Sequence, residues 1–188
     1  MAIKLSSLLF ILFLSLPALA VGQWRLSLGL DENSYSIKTK ASASTNSAST
    51  SFVATELTPS VQLFITKKIQ FSVNYSQTLL GDYDINGFGT SVRYYFKGGS
   101  FNNYSNSSLK IQEIPKWSTF AEVGYKYLSV GAGTVDIKFN RIDAGAGVER
   151  YLKDYYFAFL KVHAGQLSSS STRSGTVMGI SLGLGKYF

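Results

Sequence analysis

Thr176-Val-Met-Gly-Ile-Ser-Leu-Gly-Leu-Gly-Lys-Tyr-Phe188 is the stretch that decides the fold. Counting back from Phe188 in twos gives Lys186, Leu184, Leu182, Ile180 and Met178, while the other set is Tyr187, Gly185, Gly183, Ser181, Gly179 and Val177. One face is greasy, and the other is small and mostly polar. Alternation over this length, ending on an aromatic, suits a strand with one side against lipid and the other inside a crowded barrel.

The opposite end agrees. Lys4 gives a positive start, Leu8 to Leu16 an apolar core and Ala18-Leu-Ala20 a small-x-small cleavage site, so residues 1–20 read as a signal peptide and 21–188 as the mature domain. No other run approaches the roughly 20 apolar residues of a spanning helix, so a membrane reading requires a barrel. The chain has 12 Tyr, 13 Phe and 17 Gly against a charged fraction of 15%. Cysteine is absent, which removes disulfides and thiolate chemistry. The formal charge of +7 falls to +6 without Lys4. Its cations are scattered along alternating strands and not clustered on one face, which argues against a nucleic-acid partner.

Taken in order, the mature chain divides into about eight alternating segments: all-β, an eight-stranded antiparallel up-and-down transmembrane β-barrel. They are expected over 23–30, 52–64, 69–76, 87–96, 117–127, 139–152, 156–166 and the terminal stretch. Pro59 cannot donate to a ladder, so a bulge or break is expected near it. With both ends periplasmic, connections at 31–50, 80–86, 128–138 and 167–175 fall outside the cell and turns at 65–68 and 151–155 inside. The 31–50 stretch, rich in Ser, Ala, Thr and Asn, reads as a long polar loop. The 97–116 connection is long for a periplasmic turn, and Leu109 to Pro115 could carry a small ordered piece. The Asn-x-Ser triplets at Asn74, Asn103 and Asn106 read as chance.

The faces carry the membrane argument. Lys or Arg on the lipid face costs roughly 2–4 kcal/mol near the bilayer midplane. In every segment the mid-strand charges share a face with Gly and Ser. Arg25, Arg93, Lys126, Arg141 and Lys161 therefore point inward, with Glu56, Glu122, Asp143, Glu149 and His163. An eight-stranded barrel is filled by its own side chains, so these groups should pair among themselves and leave no wide pore. Glu122 and Lys126, four apart on one inward face, are part of that expectation. Inward glycines leave room for Tyr95, Phe120, Phe157 and Phe159. Lys186 and Arg150 fall outward near strand ends, where they can snorkel. Trp24, Phe96, Trp117 and Phe188 should form one aromatic girdle, and Tyr75 and Tyr127 belong to the other.

Val92-Arg-Tyr-Tyr-Phe96, Phe120-Ala-Glu-Val-Gly-Tyr125, Gly145-Ala-Gly147 and Leu182 to Phe188 together resemble the small outer-membrane β-barrel family of Gram-negative bacteria, close to OmpX-like proteins and the barrel of OmpA-like proteins. The resemblance implies a bacterial outer-membrane location and a terminal assembly signal at Leu182, Leu184 and Phe188, with Lys186 where the family usually has an aromatic or apolar residue. It also implies outer-membrane lipids, lipopolysaccharide and the barrel-assembly machinery as partners. No peptidoglycan-binding domain follows Phe188, so that anchoring role does not carry over.

Catalysis finds little support. His163 is the sole histidine, and its inward register beside Lys161 suits an interior residue. Outer-membrane lipid A deacylases place a lipid-facing serine two residues after their histidine; position 165 here is Gly. No catalytic residue, metal site or cofactor is expected, and Gly87-Phe-Gly89, Gly145-Ala-Gly147 and Gly183-Leu-Gly185 lie within strands and precede no helix, unlike phosphate loops. The expected function is therefore structural or surface-interacting, through external loops of unknown ligand, in a monomer. A narrow ion or small-solute channel is the alternative, and a lipid-modifying enzyme a weaker one. A lipocalin-like soluble barrel would expose an implausible apolar face.

Overall fold

A computed structural model describes residues 24–40, 47–98, 103–105, 108–110, 116–132, 135–152, 155–169 and 173–188. Residues 1–20, which read as a signal peptide in the sequence, lie outside the described residues. Period-two alternation rich in Val, Ile, Tyr and Phe produces eight long strands. They are β1 (Trp24–Lys40), β2 (Ser47–Phe64), β3 (Ile69–Gly81), β4 (Asp84–Tyr95), β7 (Trp117–Ala132), β8 (Val135–Tyr151), β9 (Tyr156–Ser168) and β10 (Arg173–Tyr187). All pair antiparallel in a closed barrel of order β1-β10-β9-β8-β7-β4-β3-β2. The 97–116 connection holds a separate hairpin, β5 (Asn103–Ser105) with β6 (Ser108–Lys110). It includes Leu109 and Lys110 of the ordered piece expected at 109–115, whose other residues lie outside the described ones.

The connections at the end away from the termini are much shorter than expected. Residues 31–40 and 47–50 are strand, not loop, and so are most residues of 80–86, 128–138 and 167–175. Composition misled here because these segments keep alternating after their polarity changes. Near Pro59 the β2–β3 ladder skips Thr58 and Pro59, passing from Leu57↔Gln77 to Ser60↔Asn74 without change of register. The register shift falls instead at Thr55/Glu56, where Leu79 goes unmatched.

The pairing fixes the geometry. The partners run from Ser27 through Ser60, Asn74, Gly89, Lys126, Arg141, Leu167 and Gly175 to Ile37, ten residues further along β1. A stagger of ten over eight strands tilts each strand by about 40°. On β7 the outward aromatic limits are Trp117 and Tyr127, and ten steps of about 3.3 Å at that tilt rise about 25 Å, the height of a transmembrane barrel's apolar band. The outward face of every strand stays mainly apolar to this level and then turns mainly polar. Leu30 gives way to Glu32 on β1, Tyr75 to Gln77 on β3, Phe88 to Asn86 on β4, Ile142 to Asn140 on β8 and Met178 to Thr176 on β10.

At the same level the inward face turns the other way. Within the band it is largely polar and charged, apart from aromatic residues toward the termini. Above it, Tyr35, Phe52, Ala54, Ile85, Leu128, Val130, Phe139, Leu167 and Val177 form a buried apolar cluster, with Ile37, Tyr83 and Ile137 against it. The lower half of the barrel is thus built for hydrocarbon outside and polar groups inside, and the upper half for water outside and a hydrophobic core inside. A second cluster, of Phe64, Tyr95, Phe120, Phe157, Phe159 and Tyr187, closes the end nearest the termini. Gly183 and Gly185 make that packing possible: a Cβ on either would lie within 3.0 Å of Phe159 or Phe157 ring atoms.

Two measurements follow from this division. Brominated lipids should quench Trp24 and Trp117 more strongly when the bromine sits near the headgroup than at the chain terminus. Leu128→Ala, which hollows the upper core, should cost about 2–5 kcal/mol in urea unfolding from vesicles, whereas Val123→Ala on the lipid face should cost far less.

Candidate functional site: the buried ion network

The inward alternation of six strands brings the sequence-derived residues into one interior, where Arg25, Glu56, Arg93, Glu122, Lys126, Arg141, Asp143, Glu149 and His163 are buried and Lys161 is largely so. The structure adds Asp31, which the loop assignment concealed. Among the described residues the interior ions then number five of each sign: Arg25, Arg93, Lys126, Arg141 and Lys161 against Asp31, Glu56, Glu122, Asp143 and Glu149. Burial of so many charges is tolerable only with pairing and hydrogen bonds.

The strongest set lies at the end nearest the termini. Arg25 holds Glu149 with a two-pronged fork, Nη1 to Oε1 at 2.8 Å and Nη2 to Oε2 at 2.7 Å. Its Nε donates to Gln62 Oε1 at 2.8 Å. The hydroxyls of Tyr187 and Tyr95 each accept from Arg25, at 2.9 and 3.1 Å, and each donates to Glu149 at 3.0 Å. The guanidinium carbon sits 3.6 Å from the Phe157 ring centroid. A planar, always-charged guanidinium is the group that can fork a carboxylate and stack on a ring together. Tyr95 and Tyr187 fall on the inward face by alternation, but their bridging of this pair is not legible in sequence, because their partners lie 38 to 162 residues away.

Above this set, Glu122 accepts from two cations. Arg93 Nη2 and Lys161 Nζ each lie 2.7 Å from one of its oxygens, and Arg93 also rests 3.9 Å from the Phe120 ring centroid. Glu122 does not pair with Lys126, as the shared face had suggested: four residues along a strand are about 13 Å apart, and cross-strand neighbours are nearer. Lys126 turns to Asp31 instead, at 3.8 Å, and Asp31 accepts from Thr58 Oγ1 at 2.8 Å.

The third set lies beneath the upper core. Arg141 Nε is 2.7 Å from Asp143 Oδ2. Glu56 accepts from Asn33 Nδ2 at 2.8 Å and from the Tyr35 hydroxyl. His163 Nε2 lies 2.8 Å from Asn33 Oδ1, and Ser181 Oγ is 3.4 Å from His163 Nδ1. Asn33 and Tyr35, like Asp31, came from the stretch read as a loop. His163 and Ser181 are enclosed by the barrel wall, without the lipid exposure that a lipid-cleaving serine needs. Between the second and third sets lies a polar cavity of about 40 Å³, room for a few waters where each needs about 10–15 Å³.

No group of His, Cys, Asp and Glu among the described residues is arranged to hold a metal ion.

Comparison with solved structures matches this architecture. Neisserial surface protein A superposes with a TM-score of 0.56 over 90% of this chain and 100% of its own, at 14% identity. The N-terminal β-barrel domain of Pseudomonas aeruginosa OprF does so at 0.53, over 89% and 99%, at 13% identity. The fold is that of the small outer-membrane β-barrels. No family model matches the sequence, and no curated protein sequence matches it.

The network sets a stability expectation. Arg25→Ala leaves Glu149 buried with one remaining cation at 3.5 Å and should cost about 3–5 kcal/mol. The double variant Arg25→Met with Glu149→Leu should cost less than Arg25→Ala alone; urea titration of the refolded barrel, read by heat-modifiable gel migration, measures both.

Proposed function

We propose that the protein works in the bacterial outer membrane as a sealed barrel whose outer surface, and not its lumen, is functional. The single observation that supports this reading is the pair of packed clusters at the two ends of the interior. An apolar core fills the upper end, an aromatic cluster fills the lower, and the charges between them are buried in equal numbers. An ion entering from either side would have to cross an apolar plug and then displace an existing pair, each unfavourable in a low dielectric.

In this reading the termini face the periplasm and the upper half stands in the medium outside. That half presents short connections on a rigid barrel wall, so recognition would use the strand faces and rim as much as loops. Leu182, Leu184 and Phe188 would serve as the signal read by the barrel-assembly machinery, with the outward register expected of such a signal. The protein would act as a monomer, with lipopolysaccharide against the upper rim, and it would carry out no catalysis. A pore is the competing reading, favoured only by the polar cavity between the sets.

Planar-bilayer recording tests the choice. The folded protein should give no reproducible steps. A variant emptying the upper plug, Phe52→Ala with Leu128→Ala and Phe139→Ala, should remain silent unless Phe157→Ala is added. Steady ion-selective steps from the wild type, altered by Glu122→Gln, would replace the sealed-barrel reading with a channel.

A further inference from the structure

The positive surplus of this protein is confined to one rim. The mature sequence carries 17 Lys and Arg, 18 less Lys4, against 11 Asp and Glu. The interior holds five of each. At the upper end, Lys38, Lys40, Lys138 and Arg173 stand against Glu32, Asp82, Asp84 and Asp136, and cancel. All of the remainder belongs to the end nearest the termini. Among the described residues that rim carries Lys67, Lys68, Lys97, Lys116, Arg150 and Lys186 and no acid. The other charges in the same connections, Lys110 with Glu113 and Lys153 with Asp154, cancel as sequence. The full +6 therefore sits on one ring.

The ring is also attached to the aromatic girdle. Arg150 lies 5.1 Å from the Trp117 ring centroid. Lys186 Nζ is 5.4 Å from the rings of both Tyr156 and Phe188. Lys68 Nζ is 6.0 Å from that of Tyr94. These rings are solvent-accessible in the protein alone and occupy the lower limit of the lipid-facing band. Each pair thus presents an apolar ring at the depth of the acyl-chain boundary and a cation at the depth of a phosphate.

We propose that this rim is a seat for anionic phospholipids, whose headgroup phosphates it gathers in the leaflet it faces. The inference rests on the outer-membrane reading, with the termini toward the periplasm, and gives the net charge of the protein a task. Unpaired surface cations near a bilayer attract anionic lipid individually and additively. A neutral upper end provides the contrast, so the preference should be one-sided. The source is the lipid and not free phosphate, because the cations are spaced around a ring and do not converge on one cavity.

The test uses the refolded full barrel in phosphatidylcholine vesicles doped with spin-labelled phosphatidylglycerol or spin-labelled phosphatidylcholine, after folding is verified by heat-modifiable migration. The wild type should prefer phosphatidylglycerol by about fivefold or more, the gain of roughly one cation per headgroup, and raised salt should weaken the preference. Two rim variants, Lys67→Gln/Lys68→Gln/Lys97→Gln/Lys116→Gln and Arg150→Gln/Lys186→Gln, should each lower it, so that failure of either to fold leaves the other to decide. Lys38→Gln/Lys138→Gln/Arg173→Gln at the upper end should leave it unchanged. A wild type without preference, an equal loss in the upper-end variant, or displacement by inorganic phosphate at matched ionic strength would each overturn the proposal. Failure of the wild type to fold into any vesicle would instead count against the membrane-barrel reading itself.

Discussion

A strand that crosses from hydrocarbon into water must satisfy two solvents with one alternating backbone, and all eight strands here must make the change at one height. This constraint governs the molecule. Because the stagger between neighbours is fixed by pairing, the changeover residue differs from strand to strand in number but not in level. Leu30, Tyr75, Phe88, Tyr127, Ile142 and Met178 all mark it. Below that line the inside is mainly polar, apart from the aromatic cluster nearest the termini, and above it mainly apolar, so one boundary sets both surfaces of the wall.

The interior follows from the boundary. Enclosing polar groups below it forces charges to find partners across the lumen, and a barrel this narrow brings strands distant in sequence within reach. The Arg25–Glu149 fork shows how far this goes: Tyr95 and Tyr187 bridge both members, and Phe157 covers the guanidinium. Such a set is worth more for choosing one packing than for its net energy, since buried pairs roughly offset their own desolvation. Apolar clusters lie above and below it, so the pair is part of one packed interior.

The barrel, its strand count and the inward direction of the charges were legible because a two-residue period survives any change of composition. The upper half was not legible, since composition was read there in place of period. Asp31, Asn33 and Tyr35 alternate with Glu32, Ser34 and Ser36 as strictly as Leu26 and Leu28 alternate with Ser27 and Gly29. With polar residues on both faces, however, the stretch has the look of a loop. Leu128, Val130 and Ile137 were misplaced for the mirror reason. Pair identities stayed hidden throughout: no spacing along β7 reveals that Glu122 meets Arg93 and Lys161 while Lys126 meets Asp31. The even distribution of cations along the sequence likewise concealed their gathering on one rim, because turns far apart in the chain return to the same end of the barrel.

The seam between β1 and β10 joins the two ends of the folded wall: Arg25 pairs with Tyr187, and the Phe188 N–H donates to the Trp24 carbonyl at 2.9 Å. The earliest strand to leave the ribosome is thus the one that must wait longest for its second neighbour. Until β10 is in place, one flank of β1 has no native partner and Arg25 lacks the Tyr187 hydroxyl, and the cylinder is not closed. Contacts of such sequence separation make folding slow. The interval between emergence and closure is therefore one in which β1 presents an unpaired strand edge.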